Sequence, residues 1–388
     1  MTILGIVAEY DPFHNGHLYH MTEAQKTVRP DLTYIVLSPC LKQRGDFALL
    51  PPTDRAGLAL EAGADAVFAL PVLWTVRDAE HYALGAVSLL SRLGVTHLAF
   101  GAETDDLPLL RRVAELLESP STVFERILKD LLSRGVGYPA ALSAAVGKAL
   151  PRAADLLSHP NNVLAVCYLR AILRLHAFML PIPIRRRGNY HEQSVNPDAP
   201  SASALRGALL RGCYSEAYSA MPAHAAALIR RRLLEKRMPD SGIEDTLLLS
   251  RLRSMSASAF AMLPDVSEGL ENALRRAAQT ASDREKLITM LTGTRYPAAR
   301  ISRLCAYALL QVTREDLASL SLPENALLLG LKRKAEMTVL WKKQMLPVVS
   351  SFTEWKKTAH PADLLAWRLW AQCCRLPDTL PFSEKIIS

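Results

Sequence analysis

Short apolar segments alternate with helical patterns through the first hundred residues, and this alternation constrains the fold most. Residues 3–9 (Ile-Leu-Gly-Ile-Val-Ala-Glu), 33–37 (Thr-Tyr-Ile-Val-Leu), 66–70 (Ala-Val-Phe-Ala-Leu) and 96–100 (Thr-His-Leu-Ala-Phe) read as strands. Between them, residues 18–27, 53–62 and 79–93 carry helical periodicity, with Thr53 as an expected N-cap. Strands at this spacing form βαβ units and a parallel sheet. Runs without polar alternation suit strands covered on both faces. Residues 107–175 read as helical, and 179–186 as a strand returning to the sheet. After Ser201 the reading is helical to about Leu376, with little β signal. The expected organisation is a Rossmann-like α/β domain over 1–200 and a mostly α-helical domain over 201–388.

Composition adds limits. The 388 residues are 49% hydrophobic and 22% charged, which excludes a chain disordered throughout. No apolar run reaches the roughly 18 residues of a spanning helix, and the first residues lack a basic leader, so no membrane role and a cytoplasmic location are expected. The six cysteines show no C-x-x-C spacing, so no metal site is expected from them. The net charge of +8 is unevenly spread: residues 1–200 sum to −1 and 201–388 to +9. A basic second half suits a polyanion. No segment points to a protein partner.

The chemistry concentrates in Glu9-Tyr10-Asp11-Pro12-Phe13-His14-Asn15-Gly16-His17, an H-x-G-H sequence after the first strand and before a helix. A helix start offers unpaired amide N–H groups and the positive end of its dipole to phosphate. Gly16 lets backbone approach a nucleotide. His14 and His17 can donate to charge that builds on the α-phosphate and the leaving pyrophosphate. The same pair also suits a metal site or a plain helix cap.

The segment 9–20 resembles the opening of the bacterial tRNA(Met) cytidine acetate ligase family, of the H-x-G-H nucleotidyltransferase superfamily. Further stretches match in order: Gln43-Arg44-Gly45-Asp46, Gly63-Ala64-Asp65-Ala66-Val67 with Leu70-Pro71, Phe100-Gly101-Ala102-Glu103, Gly137-Tyr138-Pro139-Ala140-Ala141, Pro160-Asn161-Asn162-Val163-Leu164, Arg185-Arg186-Arg187-Gly188 with Tyr190-His191, Ser201-Ala202-Ser203-Ala204-Leu205-Arg206, and Arg295-Tyr296 with Arg300 and Arg303. The resemblance implies an ATP-dependent ligase. It would activate acetate as acetyl-adenylate and pass the acetyl group to N4 of the wobble cytidine (position 34) of elongator tRNA(Met), giving N4-acetylcytidine.

The resemblance also implies an ATP site made of Val7, Ala8, Glu9, Tyr10, Asp11, Pro12, Phe13, His14, Asn15, Gly16, His17, Leu18, Tyr19 and His20, with Gly101, Asn162, Arg186 and Arg187. His14 and His17 are its catalytic residues. Arg44, Ser203 and Arg206 are candidates for phosphate or substrate, and Arg295, Arg300 and Arg303 for tRNA. Mg2+ is expected with the ATP. Asp46 and Glu103 are candidates to orient the site, and Asn161-Asn162 equally reads as a helix cap. This chain departs from the family's pattern at Asp11, where Asn is usual, at Pro39 and Cys40, and at Ala102. A carboxylate at Asp11 repels triphosphate unless Mg2+ or a basic partner offsets it. Two other readings stand beside this one: a small-molecule adenylyltransferase, and a non-catalytic RNA-binding protein.

Overall fold

The structure, a computed structural model, describes residues 1–186, 195–197, 200–267, 269–293, 295–332, 341 and 346–377. Arg187 and the Tyr190-His191 pair therefore lie outside the described residues. The first strands form where the apolar runs place them: β1 (Ile3–Ala8), β2 (Leu32–Leu37), β3 (Ala66–Ala69), β4 (His97–Ala102) and β5 (Leu180–Arg185). Helix α1 (Asn15–Val28) follows β1 and α2 (Pro52–Glu61) precedes β3. The Thr53 expectation is corrected: Pro51 occupies the cap position of α2, no side chain caps it, and Thr53 is buried within the helix.

A seven-stranded sheet runs in the order β5-β4-β1-β2-β3-β6-β7. Pairings from β5 through β3 are all parallel. The last two strands come from the second half of the chain. β6 (Ala326–Leu331) pairs antiparallel to β3, and β7 (Val348–Val349) parallel to β6. This region had read as helical, because Ala-Leu-Leu-Leu-Gly-Leu has no strand alternation. It becomes a strand by covering the open edge of β3, whose amide and carbonyl groups need partners.

Side chains along each strand alternate between faces. Leu32, Tyr34 and Val36 of β2 enter a core with the Ala79–Arg92 and Pro160–Arg174 helices. Ile35 and Leu37 enter a second core that runs on without a break into the helical half, as far as Tyr307, Trp367 and Trp370. Polar bonds fasten the same contact. Tyr307 Oη donates to the Val76 carbonyl at 2.6 Å and Trp370 Nε1 to the Ala48 carbonyl at 2.8 Å. Arg232 grips Asp54 of α2 through two bonds of 2.6 and 2.7 Å. The helical half is thus built onto one face of the sheet.

The strand order reverses between β1 and β4. In open α/β sheets, that crevice at the carboxyl ends is where ligands bind. The H-x-G-H loop leaves β1 there, Gly101 lies near the end of β4, and Arg186 directly follows β5.

Candidate functional site

His14 is the N-cap of α1, with extended backbone (φ −138°, ψ 171°). Its Nδ1 accepts from the His17 amide at 3.3 Å, and His17 Nδ1 accepts from the His14 amide at 3.3 Å. The two rings stack, 3.6 Å between centroids and 17° between planes. This capping box fixes the chemistry. An Nδ1 that accepts carries no proton, so each neutral imidazole is protonated on Nε2. Burial, and then the nearby Arg186 charge, push the His14 pKa down to about 3. His17 is lowered well below its ordinary value by burial and by the charges of His14, Arg186 and His20. The site therefore holds two neutral Nε2–H donors at the start of a helix. Gly16 is needed for close approach: a Cβ there would lie 3.0 Å from the His14 ring.

Arg186 and His20 stand beside Gly101. A Cβ on Gly101 would meet the Arg186 side chain at 3.4 Å and the His20 ring at 3.9 Å. Burial and Arg186 lower His20 to about 4, against a ring hydrogen bond to the Phe100 backbone that raises it. Its Nε2 is buried and has no partner among the described residues. Arg186 Nη1 also donates to Asn161 Oδ1 at 3.3 Å. Asn162 Oδ1 accepts from the Glu103 and Thr104 amides at 2.9 and 3.2 Å. Glu103 accepts from the Asn161 and Asn162 amides at 3.3 and 2.8 Å. Glu103 thus caps the Pro160–Arg174 helix, and the Asn162 oxygen secures the loop after β4.

Asp11 is buried and compensated. Arg206 Nη1 donates to Asp11 Oδ2 at 2.9 Å, Lys42 Nζ lies 3.5 Å from the same oxygen, and the Leu49 amide donates to Oδ1 at 2.6 Å. Burial alone would raise the carboxyl, but Lys42, Arg206 and Arg55 outweigh it and hold the pKa below its ordinary value. The basic partners required by a carboxylate at this position are Arg206 and Lys42. Arg206 also donates to the Phe47 carbonyl at 2.9 Å. Ser203 is exposed, and Ser201 is the cap of the Ala202–Leu210 helix, accepting from Ala204 N at 3.2 Å.

The Gln43–Asp46 loop is wedged between this site and the helical half. The Gln43 amide donates to Glu9 Oε1 at 2.6 Å. On the other side, Ser302 Oγ donates to the Arg44 carbonyl and Arg284 Nη1 to Asp46 Oδ1. Asp46 is thus committed to Arg284 and Lys42. The Arg44 side chain is exposed.

Of the basic second half, much serves the fold. Arg253 donates to the Ala278 and Ala281 carbonyls, both at 2.9 Å, and Arg251 to the Ala308 carbonyl at 3.2 Å. Arg300 donates to the Asp265 carbonyl and lies 5.2 Å from the Tyr296 ring centroid. Arg303 Nε is buried without a partner among the described residues, whereas Arg295 is exposed. Trp341 packs against Phe68, ring centroids 5.8 Å apart. Arg333, Lys334, Lys342 and Lys343 lie outside the described residues.

Sequence reasoning missed Lys42, Arg55 and Arg284. Arg55 is wholly buried in α2 and donates to the carbonyls of Leu50, Glu9, Ser38 and Pro39. One arginine amid the apolar positions of a helix was the available signal.

No helix among the described residues is long and apolar enough to cross a membrane. The model of the HIGH Nucleotidyl Transferase family matches residues 1–378. A protein of Acetivibrio thermocellus called tRNA(Met) cytidine acetate ligase is 31% identical over 97% of this chain and 96% of its own. One of the same name from Syntrophomonas wolfei is 33% identical over 96% and 93%. The crystal structure of apo Thermotoga maritima TmcAL matches with a TM-score of 0.94 at 27% identity, over 100% of this chain and 99% of that one. The form bound with alpha-thio ATP matches at 0.90. With its histidine pair at the β1–β4 crevice, the chain belongs to the tRNA(Met) cytidine acetate ligase family of the HIGH nucleotidyl transferases.

Proposed function

We propose that this chain is an ATP-dependent ligase that activates acetate and acetylates N4 of the wobble cytidine of elongator tRNA(Met). The carrying observation is the pair of neutral, Nε2-protonated histidines beside Arg186 at the switch point of the sheet. Acetate cannot donate its acyl group directly, because oxide would have to leave. One carboxylate oxygen attacks the α-phosphorus of ATP; a new O–P bond forms as the bond to pyrophosphate breaks. Charge builds on the α-phosphate and the departing pyrophosphate, where His14, His17 and Arg186 donate. Gly101 leaves room for the nucleoside against β4. The cytidine N4 then attacks the acyl carbon, AMP leaves, and N4 loses a proton. Its lone pair is delocalised into the ring, so positioning beside the mixed anhydride supplies much of the rate.

Among the described residues, no group of three or more His, Cys, Asp or Glu side chains is placed to hold a metal ion. A Mg2+ ion arriving with ATP would be carried by phosphates and water. The exposed Arg44 and Arg295 are candidates to meet tRNA phosphate. Arg300 supports the Tyr296 turn through the Asp265 carbonyl and the Tyr296 ring. The location is the cytoplasm, where ATP and tRNA are both present.

The test is mass analysis of nucleosides after incubating enzyme, ATP, isotope-labelled acetate and elongator tRNA(Met). Labelled N4-acetylcytidine is expected at position 34. Acetate-dependent pyrophosphate release with no acetylated tRNA would leave a small-molecule adenylyltransferase; release of neither would leave an RNA-binding protein.

A further inference from the structure

Around His17 the structure holds polar groups to which the nucleotide chemistry above gives no step. The Tyr10 ring meets His17 edge-on at 5.0 Å between centroids, and Phe13 lies 5.7 Å from His17. Tyr10 and Phe13 contact each other at 4.8 Å, and Phe13 faces His224 at 6.3 Å. Phe13 is fully buried and Tyr10 is 2% exposed. Yet Tyr10 Oη and His224 Nε2 are buried and have no hydrogen-bond partner among the described residues. A buried polar atom left unpaired costs about 1–3 kcal/mol, so such atoms call for a ligand or an ordered water.

A second feature gives the sign of that ligand. His224 is the second residue of the Ala223–Leu234 helix, whose start carries no side-chain cap. The first amide of α1, on Asn15, donates to the Ala220 carbonyl at 3.0 Å. The start of α1 thus reaches the turn before the Ala223–Leu234 helix, and the uncapped start of that helix, beside Phe13, offers the positive end of its dipole.

We propose that Tyr10, Phe13 and His224 form the acid subsite, which takes a short monocarboxylate with its methyl group against the aromatic rings and its carboxylate toward Tyr10 Oη and His224 Nε2. The inference rests on the reading of the site as an acid-activating ATP site. On that reading the nucleoside lies against Gly101, with Arg186 and His20 beside it. The acid then lies against His17, whose Nε2–H serves the phosphates. Tyr10 Oη donates to the carboxylate, as does His224 in its Nε2–H tautomer. Both hold the oxygen that stays with the acyl group while the other attacks phosphorus. No proton moves in that step, and the electron pair of the broken bond leaves on pyrophosphate. Two close aromatic rings favour a methyl group over a longer alkyl chain.

The experiment measures acetate-dependent pyrophosphate release and, separately, ATP affinity by equilibrium titration, in wild type, Tyr10→Phe, His224→Ala and His224→Gln. Loss of one hydrogen bond to a carboxylate should raise the KM for acetate about tenfold in Tyr10→Phe and in His224→Ala. ATP affinity should stay within about twofold in the two His224 variants, because His224 lies outside the 7–20 segment of the ATP site. His224→Gln, which keeps a donor, should recover part of the loss. An unchanged KM for acetate in both Tyr10→Phe and His224→Ala would overturn the proposal. Parallel loss of ATP and acetate binding in a folded His224 variant would do the same. Should His224→Ala fail to fold, Tyr10→Phe, which removes a single buried hydroxyl, decides. Wild-type enzyme that releases no pyrophosphate with acetate would overturn the reading of function itself, and the subsite with it.

Discussion

Asp11 and Arg206, 195 positions apart in sequence, meet in a buried ion pair of 2.9 Å directly behind the H-x-G-H loop. The pair joins the first loop of the sheet to the helix that opens the second half. It also resolves an apparent conflict, since a lone carboxylate in that loop would oppose triphosphate. Arg206, a candidate for phosphate or substrate, neutralises Asp11 here.

Arg206→Met leaves the Asp11 carboxylate buried with Lys42 3.5 Å away as the remaining side-chain ion-pair partner. Removing one member of a buried pair costs about 3–5 kcal/mol, and Lys42 should hold the loss near the lower end. Adding Asp11→Asn should restore most of the stability, because the uncompensated charge is gone. Urea unfolding of the two single variants and the double variant measures the coupling; simple additivity would show that the pair is not energetically real.

His17→Ala removes an Nε2–H donor and half of the capping box. Acetate-dependent pyrophosphate release should fall by about 100-fold or more, as for loss of one preorganised donor to developing charge. Binding of tRNA by filter or fluorescence assay should be unaffected. Equal loss of both would mark a folding defect.

Gly45 has φ +85°, and a Cβ there would lie 2.9 Å from both Ala306 Cβ and the Ser302 carbonyl. Gly45→Ala should destabilise by at least about 2 kcal/mol, the left-handed conformation adding to the clash. The thermal midpoint reads this directly. No change would mean that the 43–46 loop is not seated on the Ala298–Leu310 helix.

Asp363 accepts from the Val72 amide at 2.6 Å, and burial pushes its carboxyl up to about 7. The unfolded carboxyl ionises above its ordinary 3.8. Between these values the folded state binds more protons, so raising the pH costs stability, up to about 1.4 kcal/mol per pH unit. Asp363→Asn, which keeps an acceptor for Val72, should remove this penalty. Its stability relative to wild type should therefore rise from pH 5 to pH 7, as followed by denaturant midpoints; a pH-independent difference would contradict the shift.

Arg295→Glu, at an exposed position, should weaken tRNA binding and make its salt dependence shallower, by about one contact's worth of counterion release. Arg253→Glu should instead unfold the helical half, because its guanidinium caps the carbonyls of Ala278 and Ala281. Affinity across a salt series separates the two roles.

The local code was readable without coordinates. Strands β1 to β5 follow apolar runs because a strand covered on both faces needs no polar alternation. The loop His14-Asn15-Gly16-His17 announced its helix start because a cap, a glycine and two imidazoles are short-range features. Long-range pairing left no such mark. Ala326–Leu331 reads as helix by itself, and only the bare edge of β3 made it a strand. Arg232, Arg253 and Arg300 look like any surface basic run until their carbonyl and carboxylate partners are in place. Sequence thus determined the five parallel strands β1 to β5 and where the phosphate-facing helix begins, since those depend on neighbours within a few residues. Tertiary structure alone decided which charges are spent on the fold and which polar atoms are left over for a ligand. A charge's role depends on its distance to an opposite charge and on exclusion of water, and chain order encodes neither.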